Sequence, residues 1–333
     1  MMNITVIGGG SWGTTLAQVL TDNGHSCLIY DINTSFVDAI NNTHIHPFFT
    51  DVLLPESICA TLDLAKAVNF SDYILLAVPT KVMREIVLRN INKLLTSPKV
   101  FINVSKGIEP GTLKRISEIV EEEIDPLYLK GFVVLTGPSH AEEVILRKLT
   151  VLVSASKNHE LAKEVQLLFS NDKYLRVYTS TDLIGCELGG AIKNAIAVVS
   201  GISTGLGLGE NARAALISRG VLEIVAIVEA LGGKKETAFG LTGIGDLIVT
   251  ASSENSRNFR AGKRIGLGEN AIDVVNNSTQ TVEGVRTIVA ANQIAEQYHL
   301  TLPIIQTAYQ VLFNGLEAKE AVYKLLSRAL KME

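Results

Sequence analysis

A glycine-rich turn near the N-terminus constrains the fold of this 333-residue chain more than any other feature. Gly8, Gly10 and Gly13 follow the apolar run 4–7 in the spacing G-x-G-x-x-G, and a helical pattern follows them. In such a turn the first glycine permits a tight bend, the second lets the backbone approach a phosphate, and the third lets helix and strand pack closely. The N-terminus of the next helix attracts anions. The pattern predicts a βαβ unit that binds a dinucleotide; the alternative is a turn that serves packing alone.

A carboxylate follows the second predicted strand, residues 27–30. Asp31 lies 18 residues after Gly13, where an acidic side chain can accept hydrogen bonds from ribose hydroxyls. No Arg or Lys occurs from residue 31 to residue 65, so a 2′-phosphate would meet a negative charge and no local cation. The pattern favours NAD over NADP. The alternative role for Asp31 is to cap the next helix.

Short apolar runs alternate with helical patterns over residues 1–181. The runs are rich in Val, Ile and Leu and apolar on both faces, as expected for strands that helices cover on both sides. They span residues 4–7, 27–30, 73–78, 100–103, 132–135, 150–154 and 175–178, with helical patterns at 12–23, 81–95, 112–123 and 159–169. This alternation predicts an α/β domain with a Rossmann-like, doubly wound parallel sheet that binds the dinucleotide.

The pattern changes at residue 182. A long apolar segment rich in small residues runs to about residue 206, and helical patterns follow at 212–231, 237–250, 258–267, 285–298 and 317–330. Continuous β-branched runs bounded by turns are absent from the sequence after residue 182, so we predict an all-helical substrate and catalytic domain over residues 182–333. The length of the chain fits two domains.

Composition narrows the possible partners and location. A net charge of −4 and a pI near 5.9 argue against nucleic acid. Three sparse cysteines make neither a disulfide framework nor a zinc site, and His44 and His46 lack a third ligand at suitable spacing, so we expect no metal. The N-terminus has no basic segment followed by a long apolar one. We therefore expect a cytoplasmic protein without membrane insertion.

A series of motifs that begins with the glycine turn runs in order along nearly the whole chain. They are GGGSWGT at 8–14, VSKGIE at 104–109, GPSHAEE at 137–143, LGGAIKN at 188–194, GIGDL at 243–247, SRN at 256–258 and VEG at 282–284. In this series the chain resembles the bacterial NAD(P)-dependent glycerol-3-phosphate dehydrogenase family. The resemblance implies interconversion of dihydroxyacetone phosphate and sn-glycerol 3-phosphate by hydride transfer, which supplies glycerol 3-phosphate for phospholipid synthesis.

The same resemblance implies the roles of individual residues. It implies that Lys193 is the catalytic proton-transfer residue. It places the phosphosugar near Lys106, Gly137, Ser139, Lys193, Asp246, Ser256, Arg257 and Asn258. It places the cofactor near Ser11, Trp12, Lys106, Ala141, Arg257, Thr281 and Glu283, in addition to the glycines of the turn and Asp31.

The chain departs from the family pattern where the resemblance would place the edge of the cofactor. A basic or His-containing segment usually follows the second strand, whereas this chain has Asp31-Ile32-Asn33. The usual Tyr-Leu-Pro stretch is replaced by Phe48-Phe49-Thr50, and Thr281 stands where the family commonly has Val. These departures concern the choice between NAD and NADP.

The chemistry of the reaction can also be read from the residues themselves. Reduction of a ketone needs a hydride, which the cofactor carries, and a proton donor. Lys193 is the only charged residue between residues 188 and 204, and burial can adapt a lysine to proton transfer. The alternative is a lysine that extends its ammonium to the surface.

The other polar candidates also have simpler alternatives. Lys106 follows a strand and can face a ligand crevice, or it is a solvated loop charge. Ser139 can bind substrate, or it belongs to an ordinary turn before a helix. Asp246 can hold a hydroxyl or orient Lys193, or it is a helix N-cap. Arg257, between a serine and an asparagine, suits a phosphate, although part of the basic run after it reads as a solvated helix face.

Two other functions remain open from sequence. One is a related β-hydroxyacid or 3-hydroxyacyl-CoA dehydrogenase with the same domain plan, against which the SRN motif and the surroundings of Lys193 argue. The other is a non-catalytic dinucleotide sensor, which would need the glycine turn but not Lys193, Asp246 and Arg257 together. A homodimer is a possible assembly, since two-fold dimers are common.

Overall fold

A computed structural model describes residues 1–276, 282–330 and 332. The chain divides into two compact units. The first comprises Met1–Lys106 and Lys114–Cys186, and the second comprises Gly107–Leu113 and Glu187–Glu333. The assignment of residues 1–181 to the cofactor and of 182–333 to the substrate stays a prediction about function. The segment Gly107–Leu113, which follows Lys106 directly, is grouped with the second unit.

An eight-stranded sheet forms the centre of the first unit. Its strands lie in the order β3-β2-β1-β4-β5-β6-β7-β8. Their bounds are β1 Asn3–Ile7, β2 Ser26–Tyr30, β3 Cys59–Thr61, β4 Tyr73–Leu76, β5 Lys99–Asn103, β6 Leu129–Thr136, β7 Thr150–Ala155 and β8 Leu175–Ser180. All neighbouring strands are parallel except β6 and β7, which are antiparallel. The predicted doubly wound sheet is confirmed as mostly parallel, the antiparallel pair of β6 and β7 departs from the prediction, and β3 is a strand that the sequence patterns did not indicate.

Eight helices accompany this sheet in the described part of the chain. They are α1 Ser11–Asp22, α2 Thr34–Thr43, α3 Leu64–Phe70, α4 Thr80–Val82, α5 Arg89–Asn92, α6 Ile116–Glu123, α7 Ala141–Val144 and α8 His159–Phe169, and a π-helical turn, Met83–Leu88, joins α4 to α5. The helix predicted from residue 112 begins only at Ile116. Gly111 and Leu113 have positive φ angles of 87° and 59°, which interrupt a right-handed helix.

The strand order places the glycine turn at a topological switch point. Strand β1 pairs with β2 on one side and with β4 on the other, so the chain crosses over the sheet after β3. Ligands of doubly wound sheets bind outside the carboxyl ends of the strands at such a point. The turn that follows Ile7 therefore lies at the kind of position where doubly wound sheets bind their ligands.

Helices alone make up the regular structure described in the second unit. They are α9 Leu183–Gly205, which starts in the first unit, α10 Gly209–Ala230, α11 Lys235–Ala238, α12 Asp246–Ala251, α13 Arg257–Gly266, α14 Ala271–Asn276, α15 Glu283–Gln297, α16 Pro303–Phe313 and α17 Ala318–Leu326, with a π-helical turn at Leu241–Gly245. The sequence patterns did not indicate α14, which has six residues, or α16, which begins at Pro303. The predicted helical character of this part is confirmed.

Helix α9 forms the centre of this unit. It is long and apolar enough to cross a membrane by length and composition, but 89% of its most apolar window is buried within the protein, as in the core helix of a globular domain. Gly201 and Gly205 let it approach α13 closely, because a Cβ on Gly201 would lie 2.1 Å from the carbonyl oxygen of Phe259. The glycines thus set the spacing between two helices that carry candidate site residues.

Glu223 joins two helices of the second unit. It lies in α10 with 5% of its surface exposed, and its two carboxylate oxygens accept hydrogen bonds from the backbone N–H groups of Ile304 (2.6 Å) and Ile305 (3.0 Å) at the start of α16. Burial raises the pKa of Glu223 to about 7, although these N–H groups and the charge of Arg328 act in the opposite direction. Its ionisation therefore falls near neutral pH.

We expect Glu223→Gln to change how stability depends on pH. The pKa of Glu223 is higher in the folded chain (about 7) than its ordinary value of 4.5, so folding takes up protons between these values. Wild-type unfolding free energy should then fall as pH rises from 5 to 8, by up to about 3 kcal/mol from this group. Urea denaturation at both pH values measures this loss, which E223Q should lack. Parallel pH profiles for the two proteins would contradict it.

Candidate active site

The three glycines of the N-terminal turn have different steric surroundings. Gly8 has a φ of 106°, and a Cβ there would lie 2.6 Å from the carbonyl oxygen of Ala77. A Cβ on Gly13 would lie 1.9 Å from the carbonyl oxygen of Gly8, whereas a Cβ on Gly10 would meet nothing within 4 Å. Gly8 and Gly13 are thus required by packing, and Gly10 faces open space as a phosphate-binding turn requires.

The first turn of α1 offers N–H groups for an anion. Ser11, Trp12 and Gly13 are its first three residues, and the N–H groups of a first turn have no acceptor within their own helix. No side chain caps α1 within the described part of the chain. The open space at Gly10 and the uncapped helix end fit the pyrophosphate of a dinucleotide.

Asp31 contacts the same turn. Its Oδ2 accepts a hydrogen bond from the N–H of Gly9 at 2.6 Å, and its Oδ1 accepts one from the N–H of Asn33 at 2.8 Å. The alternative that Asp31 caps α2 is wrong, because Asn33 is the N-cap and accepts from the N–H of Ser35. The carboxylate is held beside the turn, and its contact with a ribose stays a prediction.

A second cluster lies at the carboxyl ends of β5 and β6. The ammonium of Lys106 donates to the carbonyl oxygen of Gly137 at 3.1 Å, and the hydroxyl of Ser139 donates to the same oxygen at 3.2 Å. Gly137 has a φ of 140°, and Ala141 begins α7 two residues after Ser139. The structure therefore brings together predicted substrate and cofactor residues of the first unit, and Lys106 is a positioned cation rather than a loose surface charge.

In the second unit, Lys193 is buried within a polar trio. Its ammonium donates to Asp246 Oδ1 at 2.9 Å and to Thr250 Oγ1 at 2.6 Å, and the Thr250 hydroxyl bonds to Asp246 Oδ1 at 3.2 Å. Lys193 is 5% exposed and Asp246 is 2% exposed. The alternative that Lys193 reaches the surface is therefore wrong. A buried, oriented ammonium is the kind of group that can transfer a proton to a ligand.

The local backbone explains how this trio forms. Asp246 and Thr250 are one helical turn apart in α12, so their side chains lie on one face. The π-helical turn before α12 packs against α9 at Gly189, where a Cβ would lie 3.1 Å from the carbonyl oxygen of Thr242. Gly245, not Asp246, is the N-cap of α12, so the N-cap alternative for Asp246 is wrong.

The SRN motif lies at the N-terminus of α13. Ser256 is the N-cap, and its Oγ accepts from the N–H of Phe259 at 3.2 Å. Arg257 is the exposed first residue of the helix. The amide of Asn258 donates to Asn194 Oδ1 (3.0 Å) and accepts from the N–H of Gly284 (2.9 Å). Asn258, which follows Arg257, is thereby bonded to Asn194, which follows Lys193.

Two predicted cofactor residues and the expected absence of a metal remain. Glu283 is the half-buried first residue of α15, and Thr281 lies outside the described residues. No group of three or more His, Cys, Asp or Glu side chains suited to a metal is found among the residues that the structure describes.

Sequence reasoning missed two members of the site. Thr250 bonds to Lys193, and Asn194 bonds to Asn258. The four-residue spacing from Asp246 to Thr250 was a usable signal, because residues so spaced share a helix face. Asn194 had no such signal, since its partner is 64 residues away in the sequence.

A switch-point glycine turn joined in one chain to a helical unit with a buried lysine defines a dinucleotide-dependent oxidoreductase. The NAD-dependent glycerol-3-phosphate dehydrogenase N-terminus matches residues 3–162, and the C-terminus of the same family matches residues 182–323. The chain therefore belongs to the NAD-dependent glycerol-3-phosphate dehydrogenase family. This confirms the resemblance stated from sequence.

Individual relatives match over the full length. A protein of Acholeplasma laidlawii (strain PG-8A) named glycerol-3-phosphate dehydrogenase [NAD(P)+] is 65% identical over 332 residues, covering 100% of this chain and 99% of the relative. One of the same name from Phytoplasma mali (strain AT) is 49% identical with the same coverage. The crystal structure of glycerol-3-phosphate dehydrogenase from Coxiella burnetii has a TM-score of 0.92 and 32% identity, covering 98% of this chain and 99% of that one.

Proposed function

We propose that this chain interconverts dihydroxyacetone phosphate and sn-glycerol 3-phosphate by hydride transfer with NAD(P)H, and so supplies glycerol 3-phosphate for phospholipid synthesis. The observation that carries the proposal is the buried trio of Lys193, Asp246 and Thr250 in a full-length member of this family. The name shared by the relatives supports the substrate.

Lys193 is assigned the proton transfer. A bound nicotinamide supplies the hydride. The developing alkoxide needs a proton, which the Lys193 ammonium donates, while the carboxylate of Asp246 and the hydroxyl of Thr250 orient it. In the opposite direction the neutral amine takes the proton from the hydroxyl of glycerol 3-phosphate. Asp246 keeps the charge of the ammonium balanced in a site that is nearly closed to water.

The phosphate is assigned to the N-terminus of α13. Arg257 offers a planar fork of donors, and the helix end adds a positive dipole. Ser256 and Asn258 keep this end in place through the cap and the bonds to Asn194 and Gly284. The remaining predicted substrate contacts come from the first unit and comprise Lys106, Gly137 and Ser139.

The cofactor is assigned to the glycine turn, with a preference for NAD. Asp31 would repel a 2′-phosphate, and Ile32 and Asn33 supply no cation beside it. The N–H groups of α1 would hold the pyrophosphate. The other proposed cofactor residues are Lys106, Ala141, Arg257, Thr281 and Glu283.

Nicotinamide absorbance provides the direct test. The purified protein is mixed with dihydroxyacetone phosphate and either NADH or NADPH, with unphosphorylated dihydroxyacetone as the control substrate. We expect oxidation with the phosphorylated ketone, faster with NADH. Binding of both cofactors without oxidation of either would overturn the assignment and favour a related dehydrogenase or a sensor.

We expect Arg257→Ala to raise the KM for dihydroxyacetone phosphate roughly 10- to 150-fold, the equivalent of one charged hydrogen bond. The KM for unphosphorylated dihydroxyacetone should change far less, because that ketone has no phosphate for Arg257 to bind. Steady-state kinetics with both ketones measure the two effects, and Arg260→Ala, on an exposed position of α13, is the matched control. Equal effects of R257A on both ketones would contradict the phosphate assignment.

We further propose that the protein acts in the cytoplasm without membrane insertion and forms a homodimer, the commonest symmetric assembly. The burial of α9 within the protein supports the absence of membrane insertion.

A further inference from the structure

The peptide group of Gly9, inside the glycine turn, is held on both sides. Its N–H donates to Asp31 Oδ2 at 2.6 Å. Its carbonyl oxygen lies 2.8 Å from His46 Nε2 and accepts a hydrogen bond from the Thr14 hydroxyl at 3.1 Å. His46 comes from the loop after α2, so a residue 37 positions away in sequence fixes the orientation of this peptide.

The contacts of His46 define its protonation state. Nδ1 accepts a hydrogen bond from the N–H of Phe48 at 3.1 Å, so it carries no proton. The proton therefore lies on Nε2, which donates it to the carbonyl oxygen of Gly9. Burial lowers the pKa of His46, and the bond to Gly9 and the charge of Asp31 oppose this only in part. The ring is neutral near pH 7.

The surroundings of the His46 ring favour a hydrogen bond to Gly9 over metal binding. His46 is 0% exposed, and its ring centroid lies 4.7 Å from that of Phe36, 5.2 Å from that of Phe48 and 5.9 Å from that of Phe49. Both ring nitrogens already have partners. The spacing of His44 and His46 is therefore explained by a buried hydrogen bond, with Asp31 as the charged group that faces the ring.

We propose that His46 is a positioning residue for the dinucleotide: through the carbonyl oxygen of Gly9 it holds the glycine turn in its phosphate-binding conformation. The orientation of this peptide decides where the next peptide group, and then the first N–H groups of α1, point. The inference rests on the proposed cofactor site and adds to it a residue that needs no contact with the cofactor itself.

The test compares three substitutions by their effect on NADH binding. His46→Leu removes the ring donor to the carbonyl oxygen of Gly9 and leaves the bond from the Thr14 hydroxyl. His46→Gln places an amide N–H near the position of Nε2 and should restore the bond, whereas His46→Asn places it near Nδ1, too short to reach Gly9. Trp12, the one tryptophan of the chain, lies in the first turn of α1 and reports binding by quenching of its fluorescence.

We expect H46L and H46N to raise the Kd for NADH roughly 5- to 50-fold, the range for losing a buried hydrogen bond, and H46Q to stay within about 3-fold of wild type by the same reasoning. The KM for dihydroxyacetone phosphate at saturating NADH should change little. Phe36→Leu is the control, because it loosens the packing of the ring and leaves the bond; it should lower the melting temperature without a matching change in Kd.

The outcomes separate this proposal from the proposed function. Equal NADH affinity in wild type, H46L and H46N overturns the role of His46, as does an F36L variant that weakens binding as much as H46L. If H46L does not fold, the contrast between H46Q and H46N decides in the same way. Failure of the proposed function would instead appear as NADH binding by wild type without oxidation by dihydroxyacetone phosphate, a result that leaves the comparison of Kd values valid.

Discussion

Replacing Lys193 with alanine is expected to lower kcat for dihydroxyacetone phosphate reduction by roughly 10²- to 10⁴-fold, the usual contribution of a positioned proton donor. The Kd for NADH should stay within about 2-fold of wild type, because the glycine turn belongs to the first unit and keeps its contacts. A 2-fold change in Kd corresponds to a change of less than about 0.5 kcal/mol in the binding free energy. Stopped-flow turnover and Trp12 fluorescence measure the two quantities in one preparation.

Stability must be measured alongside, since K193A leaves a buried carboxylate without its cation. Asp246 is 2% exposed and bonds to Lys193 at 2.9 Å, and removal of one partner of a buried pair costs about 3–5 kcal/mol. The double variant K193M/D246N removes both charges and should recover most of that stability without recovering turnover. This separates loss of the proton donor from loss of folding.

Thr250→Val serves as the graded control. It removes the Thr250 hydroxyl as an acceptor for the Lys193 ammonium and preserves the bond to Asp246. We expect kcat to fall about 5- to 20-fold, as for one lost hydrogen bond. Near-normal turnover in K193A would remove Lys193 from the mechanism, and a T250V loss as large as that of K193A would move the proton-transfer role toward the hydroxyl.

Local patterns were enough to predict the glycine turn and its place between the first strand and the first helix. The glycine spacing, the strand before it and the helix after it are contiguous in sequence, and the structure puts Gly8, Gly10 and Gly13 in the surroundings that the spacing requires. Lys193 was similarly visible, because a single charge in an apolar helix needs a partner. Both inferences depend on neighbours along the chain.

Several features that sequence reasoning missed depend on contacts between distant residues or on very short elements, whereas Thr250 lies only four residues from Asp246 and α16 has eleven residues. Strand β3 has three residues, too few for a hydrophobic period, and it gains its place only by pairing with β2. The partners of Asn258 and His46 lie 64 and 37 residues away. The antiparallel direction of β7 likewise depends on its pairing with β6, which the periodicity of the sequence does not indicate.

The assignment of substrate positions depends most on the crossing of α9 and α13. A Cβ on Gly262 would lie 1.9 Å from the carbonyl oxygen of Val198, and one on Gly266 would lie 2.2 Å from that of Ile202. Real Cβ atoms do not approach backbone atoms below 3.0 Å, so the helices must separate if either glycine gains a side chain. The same two helices carry Lys193 and Arg257, and their separation would move the proposed phosphate site away from the proposed proton donor.

Gly262→Ala is therefore expected to act on both stability and catalysis. Overpacking of two backbones should lower the unfolding free energy by about 2–4 kcal/mol. A shift of α13 by about 1 Å should also lower kcat/KM for dihydroxyacetone phosphate by roughly 10- to 100-fold. Lys263→Ala, which removes an exposed ion pair with Glu254 from the same helix, should change stability by at most about 1 kcal/mol. If G262A matches K263A in denaturation and kinetics, the close crossing of α9 and α13 does not position the phosphate site.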